Sequence, residues 1–152
     1  MKTQKIITVS LVLVLVLVAT AFLSNKDQSS KEEIKQVILE GYIHGAFNEL
    51  DPEAMSKTFH EDFAIFSAKG NDISRYEIKD WVNGVEKRKN DPEFDPENNQ
   101  WDAEFSNIDV TGNSAAVKIN LSHEGRLIYT DYLSLLKFDD GWRIVAKVYH
   151  KH

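Results

Sequence analysis

The residues best suited to acid–base chemistry are His60 and the two carboxylates that follow it, Glu61 and Asp62. A histidine titrates near neutral pH and works as a general base when a carboxylate orients its ring. Tyr42 and Asp131 are further candidates, because a phenol or a buried carboxylic acid can donate a hydrogen bond to a developing oxyanion. The alternative is that residues 60–62 form a polar turn entering a strand, with His60 capping or packing. The sequence offers His60, Tyr42 and Asp131 as candidate catalytic residues, without a complete catalytic signature.

Aromatic side chains are numerous enough to line a pocket for a flat ligand. Phe, Trp and Tyr make up 11% of the chain. Such rings stack on heterocycles, and Tyr and Trp add a polar group that orients the ligand. The alternative is that each ring fills the core, which a chain of 152 residues without disulfides needs. The predicted pocket residues are Tyr42, His60, Phe66, Trp81, Trp101, Asp131 and Trp142.

Metal and cofactor chemistry finds little support in the residue pattern. The chain has no cysteine, which excludes disulfides, thiolate nucleophiles and cysteine-based zinc sites. His150 and His152 share one face of a predicted strand, but no third ligand is identifiable. The acidic segment Asp91–Glu97 lacks the regular ligand spacing of a calcium loop. The sequence therefore predicts no metal site and no cofactor.

The overall charge argues against nucleic acid as a partner. The formal net charge is −6 at pH 7, and removal of a leader containing Lys2 and Lys5 makes the remainder more acidic. An acidic domain repels phosphate backbones. The expected partners are a small molecule or another protein.

The N-terminus has the order of a signal peptide. Lys2 and Lys5 precede the apolar run Ile6–Val18, and Ala19–Ala21 supplies small residues at a cleavage position. The alternative is an uncleaved anchor, because Ile6–Leu23 has 18 residues and a bilayer span needs about 17–25. Both predict an extracytoplasmic domain, periplasmic or secreted, with membrane contact only through an uncleaved leader. The predicted boundaries are a leader at 1–21 (or an anchor to about 23), a polar tether at 22–30 and one domain at 31–152.

Three helices are predicted in the first half of the domain. The first opens at the capping box Ser30–Glu33, and its apolar stripe includes Gly41 and Gly45, which predict close approach by another element. The second begins at Asp51-Pro52, with Asp as the N-cap and Pro in the first turn. The third is predicted from a second capping box, Ser74–Glu77.

The strands follow an alternating pattern. Phe63–Ser67 is predicted as an early strand, and the chain from Trp101 onward as a four-stranded antiparallel meander, with a bulge near Ser106-Asn107. Asp139–Gly141 is a tight hairpin signal. Alternation in the last strand assigns one set to the pocket face, namely Trp142, Ile144, Ala146, Val148 and His150. It assigns the other set to the outer face, namely Arg143, Val145, Lys147 and Tyr149. Helices on one side of such a sheet give an α+β domain.

The C-terminal segments Asp131–Leu136, Gly141–Val145 and Lys147–His150 resemble the closing hairpin of the putative lumazine-binding family, within the nuclear transport factor 2-like (SnoaL-like) superfamily. Phe59–Phe63 resembles the segment between helix two and the first strand of those proteins. The resemblance implies a cone in which three N-terminal helices pack on a curved, mainly antiparallel sheet. It also implies a pocket between helices and sheet, and frequent homodimerisation through the sheet.

For function, the resemblance implies a binder of a small aromatic or heterocyclic molecule of pteridine type, without a defined reaction. One alternative is an enzyme of the isomerase, dehydratase or cyclase kind with His60 as general base. The other is an extracytoplasmic dimeric interaction domain. An isomerase of the ketosteroid type needs a carboxylate base, and the strand Phe63–Ser67 has only Ile65 and Phe66 at its centre. Isomerase chemistry of that type is therefore not predicted.

Overall fold

The computed structural model describes residues 27–152. The predicted leader at residues 1–21 and most of the predicted tether lie outside this range. Among the residues described, no helix is both long enough and apolar enough to cross a membrane.

Three helices occupy the N-terminal half. Helix α1 covers residues 27–48 and is wound as a π-helix over Ile38–Asn48; α2 is Pro52–Thr58 and α3 is Ile78–Lys89. Helix α1 already includes residues 27–30, so the capping box at Ser30 does not mark its start. The predicted N-cap of α2 is confirmed, because the Asp51 side chain accepts hydrogen bonds from the backbone N–H groups of Glu53 and Ala54.

The two glycines of α1 allow α2 to lie directly against it. A Cβ atom built on Gly41 would lie 1.8 Å from Thr58 Oγ1, and one on Gly45 would lie 3.1 Å from Met55 Cγ. The first distance is far below van der Waals contact, so only glycine fits there. The predicted close approach is confirmed, and the partner is α2.

The six strands form one sheet. They are β1 (Phe59–Lys69), β2 (Asp72–Glu77), β3 (Trp101–Thr111), β4 (Ser114–His123), β5 (Arg126–Phe138) and β6 (Gly141–Lys151). Their order across the sheet is β2-β1-β6-β5-β4-β3. Only β1 and β6 pair in parallel; the other four pairings are antiparallel. The predicted α+β class is confirmed, with two strands rather than one between α2 and the last helix.

Strand β2 corrects the prediction for the third helix. Ser74–Glu77 is not a capping box, because Ser74 pairs with Ser67 and Tyr76 with Ile65 in an antiparallel hairpin. The hairpin turns at Gly70, whose φ of 63° suits glycine. Helix α3 starts only at Ile78. Cross-strand hydrogen bonds satisfy the backbone groups that a helical first turn would have left open.

Two bulges set which side chains face the helices. In β3, Phe105 pairs with Ile119 and Asn107 with Lys118, so Ser106 is the extra residue and the predicted bulge is confirmed. In β6, Ile144 pairs with Leu135 and Ala146 with Ser134, which leaves Val145 without a partner on β5. One extra residue reverses the alternation beyond it.

The β6 bulge overturns part of the face assignment. Trp142 and Ile144 are buried as predicted. Beyond Val145, however, Lys147 points toward the helices and Val148 is 49% exposed on the opposite face. The concave face of the sheet and the helices enclose the core, whose large members include Ile34, Ile38, Tyr42, Phe59, Phe63, Leu121, Leu133 and Ile144.

Candidate functional site

Three polar side chains meet inside the core. The Tyr42 hydroxyl donates a hydrogen bond to Asp131 Oδ2. Lys147 Nζ donates to the Tyr42 hydroxyl oxygen at 2.7 Å and to Asp131 Oδ2 at 3.3 Å. Tyr42 and Asp131 are 0% exposed and Lys147 is 6% exposed. We call these three residues the buried triad.

Each member of the buried triad comes from a different element. Tyr42 lies in the π-wound part of α1, a helix form that is frequent at functional sites. Asp131 lies on β5, where Leu133 pairs with Lys147. Directly paired residues share a face, and Asp131 is two residues from Leu133, so Asp131 and Lys147 project into the same space. This depends on the Val145 bulge.

Of the two carboxylate oxygens of Asp131, Oδ2 accepts the hydrogen bonds from Tyr42 and Lys147. The Oδ1 atom is fully buried and accepts no hydrogen bond from any residue that the structure describes. A buried acceptor without a donor costs about 1–3 kcal/mol. Oδ1 is therefore a buried acceptor that lacks a donor among the described residues.

Burial shifts the pKa values of Tyr42 and Lys147 in opposite directions. Burial, reinforced by the negative charge of Asp131, raises the pKa of Tyr42 well above its ordinary 10.0. Burial lowers the pKa of Lys147 below its ordinary 10.5, and Asp131 opposes this only in part. Tyr42 thus keeps its proton at neutral pH, while the Lys147 amine gives up a proton more readily than a surface lysine.

Aromatic rings surround the Lys147 amine. Nζ lies 5.0 Å from the ring centroid of Tyr42, 5.3 Å from that of Trp81 on α3, and 5.2 Å from that of Tyr149. These distances allow cation–π attraction, which strengthens when the site excludes water. The amine therefore lies in a box made of three rings and one carboxylate.

A row of part-exposed rings leads from this box toward solvent. Tyr149 contacts Tyr129 edge to face at 5.7 Å, Tyr129 stacks with Trp101 at 5.9 Å, and Trp101 stacks with His123 at 4.8 Å. Tyr149 is 43% exposed. We call Tyr149, Tyr129, Trp101 and His123 the aromatic row. Asn48 on α1 holds Trp101 in the aromatic row. Its side-chain amide accepts a hydrogen bond from the backbone N–H of Trp101 (2.8 Å) and donates one to the backbone carbonyl of Trp101 (3.3 Å).

The structure brings together only some of the residues predicted from sequence. Tyr42, Trp81 and Asp131 meet at the triad, and Trp101 belongs to the aromatic row. His60 instead stacks on Phe138, with ring centroids 5.0 Å apart. In residues 27–152, no hydrogen bond or ring contact joins His60 to Tyr42 or Asp131. The three candidate catalytic residues are not assembled into one site.

The environment of His60 is also unlike that of an oriented general base. Its Nδ1 atom accepts a hydrogen bond from the backbone N–H of Asp62 and lies 3.6 Å from the Asp62 carboxylate. That separation is too long for a hydrogen bond, and the Asp62 side chain is largely exposed. His60 is one wall of a surface groove of about 800 Å³ between α2, α3 and the β5–β6 turn. The Phe59 ring lines this groove and also contacts Tyr42 and Trp81.

Phe66 and Trp142 lie away from the triad. Phe66 pairs with the exposed Val148 and lies under the Arg75 guanidinium, on the convex side of the sheet. Trp142 is buried in the core, with the Lys137 amine 5.7 Å above its ring. Neither contacts the aromatic row in the described part of the chain.

Lys147 is the member of the buried triad that the sequence pattern missed. The run Ile144-Val145-Ala146 is apolar on both faces, so no local signal marks the bulge. An indirect signal existed on β5, where Asp131, Leu133 and Leu135 alternate on the core face. An ionised carboxylate at a core position needs a cation, and the facing strand offered Lys147. Among the described residues, no group of three or more His, Asp or Glu side chains is arranged to hold a metal ion.

The architecture and the position of the site define a class of protein. An NTF2-like protein of unknown function from Shewanella baltica is similar at 25% identity, over 82% of this chain and 94% of that one, with a TM-score of 0.64. Another, from Methylobacillus flagellatus, is 28% identical over 82% and 93%, with a TM-score of 0.60. A third, from Silicibacter pomeroyi, matches in fold at 18% identity, over 85% and 98%, with a TM-score of 0.61. The molecule is an NTF2-like α+β domain.

The sequence places it more narrowly. The profile of the family described as "Putative lumazine-binding" matches residues 29–150, nearly the whole described chain. The chain belongs to this family, which makes it a ligand-binding type of NTF2-like domain and confirms the resemblance of the C-terminal hairpin. None of the curated proteins matches the chain.

Proposed function

We propose that this domain binds a small, flat heterocyclic molecule on the concave face of its sheet, between the buried triad and the aromatic row. The observation that carries the proposal is Asp131 Oδ1, a buried carboxylate oxygen that accepts no hydrogen bond within residues 27–152. A ligand N–H directed at this atom would remove the cost of leaving it unpaired. The description of the family supports a small-molecule ligand.

The surroundings of Oδ1 favour a heterocycle over an aliphatic ligand. The part-exposed rings of Tyr149, Tyr129 and Trp101 offer stacking surface along the approach from solvent. Lys147 Nζ is a donor for a ligand carbonyl beside the Asp131 acceptor. A pteridine-dione carries N–H and C=O groups side by side on a flat ring, which matches this donor–acceptor pair.

Titration of the full chain with lumazine and related pteridines tests the proposal. We expect quenching of tryptophan fluorescence, because Trp81 and Trp101 border the site, and a higher melting temperature. Asp131→Asn keeps the side-chain size but removes the charged acceptor. It should weaken binding about 10- to 100-fold, since a hydrogen bond to a charged group contributes about 1.5–3 kcal/mol.

The matched control is Asp140→Asn, an exposed carboxylate paired with Arg143 outside the site. This variant should bind as the parent does. A panel of heterocycles that changes neither fluorescence nor melting temperature would count against the proposal. Equal affinity in Asp131→Asn and the parent would remove Asp131 from it.

Self-association through the sheet is a second candidate function. The convex face exposes Tyr132 (49%), Val148 (49%) and Leu136, an unusual set for a surface in contact only with water. Tyr149, expected on this face from the sequence, faces the triad instead. Light scattering at about 100 µM should give a dimer mass, and Val148→Asp should give a monomer. A monomeric parent would exclude this dimer.

Export is proposed from the leader pattern alone. Lys2, Lys5, the apolar run Ile6–Val18 and Ala19–Ala21 support a domain that works outside the cytoplasm. N-terminal sequencing of protein recovered from the native cell should find a chain that starts after Ala21. A full-length chain in the cytoplasmic fraction would contradict export.

A further inference from the structure

The Lys147 amine has features that a structural ion pair does not need. It is buried, it lies among the rings of Tyr42, Trp81 and Tyr149, and it uses two of its three hydrogens on Tyr42 and Asp131. Surface lysines are strongly hydrated and almost fully protonated, whereas a desolvated lysine is the residue that proteins use for Schiff-base chemistry.

We propose that Lys147 is a nucleophile that captures an aldehyde or ketone group of a small molecule as an imine, with Tyr42 and Asp131 as its proton-transfer partners. This deepens the proposed function, on which it rests for the location of the ligand: the bound molecule would carry a reactive carbonyl as well as a flat ring.

The geometry supplies an acceptor for the first proton. A protonated amine cannot attack a carbonyl, so Nζ must first lose a proton. Asp131 Oδ2 lies 3.3 Å away and already accepts a hydrogen bond from Nζ. Burial lowers the pKa of Lys147, which favours this transfer. The first step thus needs no group from outside the triad.

The addition step forms one bond and moves one proton. The Nζ lone pair forms a C–N bond with the carbonyl carbon, and the π pair of the C=O bond moves to oxygen. Nitrogen then loses a proton while the oxygen gains one, which gives a neutral carbinolamine. The Tyr42 hydroxyl, 2.7 Å from Nζ, would relay this proton: it accepts from Lys147, and its own hydrogen, which is donated to Asp131 in the resting site, would turn to the carbonyl oxygen.

The elimination step returns the proton held by Asp131. The carbinolamine C–O bond breaks and its oxygen leaves as water, taking that proton. The nitrogen lone pair forms the C=N bond. The product is an iminium ion beside the ionised Asp131, so the total charge of the site is unchanged and no oxidant or reductant is consumed.

Access is limited but present. Lys147 retains 6% exposure, and the neighbouring Tyr149, in the aromatic row, retains 43%. A small aldehyde is therefore a suitable first probe.

Reductive trapping of the full chain tests the proposal directly. The protein is treated at pH 7 with propionaldehyde and sodium cyanoborohydride, which reduces an iminium to a stable secondary amine. Peptide mass spectrometry then compares Lys147 with Lys151, an exposed lysine on the same strand. We expect Lys147 to be labelled roughly tenfold faster, since an ordinary lysine with a pKa near 10.4 is less than about 0.1% neutral at pH 7. Labelling at the same rate as Lys151, or more slowly, would overturn the proposal.

A variant at Tyr42 distinguishes a Lys147 amine that is activated by its neighbours from one that is only accessible to the reagent. Tyr42→Phe keeps the ring and removes the hydroxyl that relays the proton. Labelling of Lys147 should slow about 100-fold while Lys151 is unchanged. Unchanged labelling of Lys147 would remove Tyr42 from the mechanism. The comparison of Lys147 with Lys151 in the parent protein holds even if this variant folds poorly.

The two proposals fail in different ways. Heterocycle binding measured by fluorescence, with slow labelling of Lys147, would leave the binding function in place and overturn imine formation. Fast labelling of Lys147 without binding of any heterocycle would overturn the ligand class and leave the reactive lysine.

Discussion

Asp131→Ala is expected to lower the free energy of unfolding by about 3–5 kcal/mol at pH 6, because it leaves the Lys147 charge buried without its partner. The side chains of both residues are within 7% of complete burial, so solvent cannot replace the lost carboxylate. Urea unfolding followed by circular dichroism measures the effect. An exposed pair provides the comparison: Glu33→Ala, which breaks the Glu33–Lys137 contact at 2.9 Å, should cost no more than about 1 kcal/mol.

The loss in Asp131→Ala should shrink as pH rises from 6 to 9. The folded-state pKa of Lys147 is lower than its unfolded value, so the unfolded chain binds more protons between the two values and stability increases with pH. Asp131 raises the folded-state pKa of Lys147. In Asp131→Ala this pKa is therefore lower, and the increase of stability with pH begins at a lower pH. Measurements should end at pH 9, because the raised pKa of Tyr42 lowers stability above pH 10. A deficit independent of pH would mean that lost packing, not charge, causes it.

Removal of both charges provides the matched control. The double variant Asp131→Ala with Lys147→Met takes away the unpaired ammonium together with its partner. It should recover most of the stability that Asp131→Ala loses, because a buried ion pair often contributes little compared with apolar side chains of similar volume. A double variant as unstable as the single one would contradict the assignment of the loss to an uncompensated charge.

Gly41→Ala is expected to lower the free energy of unfolding by about 3 kcal/mol through overpacking. The new methyl group would lie 1.8 Å from Thr58 Oγ1 and 2.8 Å from the carbonyl oxygen of Ala54. Rotation of the threonine side chain would move Oγ1 but neither its Cβ nor the Ala54 carbonyl, so α1 and α2 must separate. Thermal and urea unfolding measure the loss, and the shift of α1 should also weaken ligand binding, since Tyr42 is the next residue.

Gly84→Ala in α3 is the matched control for this substitution. There the new Cβ would meet only Tyr76 Oη, at an ordinary 3.4 Å. Alanine is a better helix former than glycine, so this variant should gain up to about 1 kcal/mol. Equal effects at the two positions would show that helix propensity, not the contact with α2, decides the outcome at Gly41.

Local patterns predicted the elements whose signals are short-range. The Asp51-Pro52 helix start, the glycine stripe on α1 and the bulge at Ser106 follow from capping, periodicity and alternation, which each involve neighbouring residues. The helix start predicted at Ser74–Glu77 is wrong because these residues pair with Ala64–Ser67 in a hairpin, and the capping-box pattern carries no information on that pairing. Pairing with a neighbouring strand overrides such a local preference.

The candidate site was predictable only in part, for a related reason. Tyr42 and Asp131 could be named because a phenol and a carboxylic acid are the groups that can donate a hydrogen bond to an oxyanion. Lys147 could not, because its orientation depends on an unmarked bulge. His60 was a chemically reasonable candidate, but its distance from the triad is set by the path of β1, which residue types do not determine.

The unpaired Val145 has a consequence for how such a site can be gained or lost. From Ala146 onward, each side chain of β6 faces the side of the sheet opposite to the one that it would face if the strand were regular after Ile144. If the same residues paired as a regular strand, Lys147 would face the convex side and Val148 the core, whereas deleting Val145 would remove the bulge and leave Lys147 on the core face. The pairing register of β6 therefore decides which side chain reaches the buried triad as much as the residue types do. A relative with the same residues in this strand but a regular pairing would direct this lysine away from the carboxylate on β5.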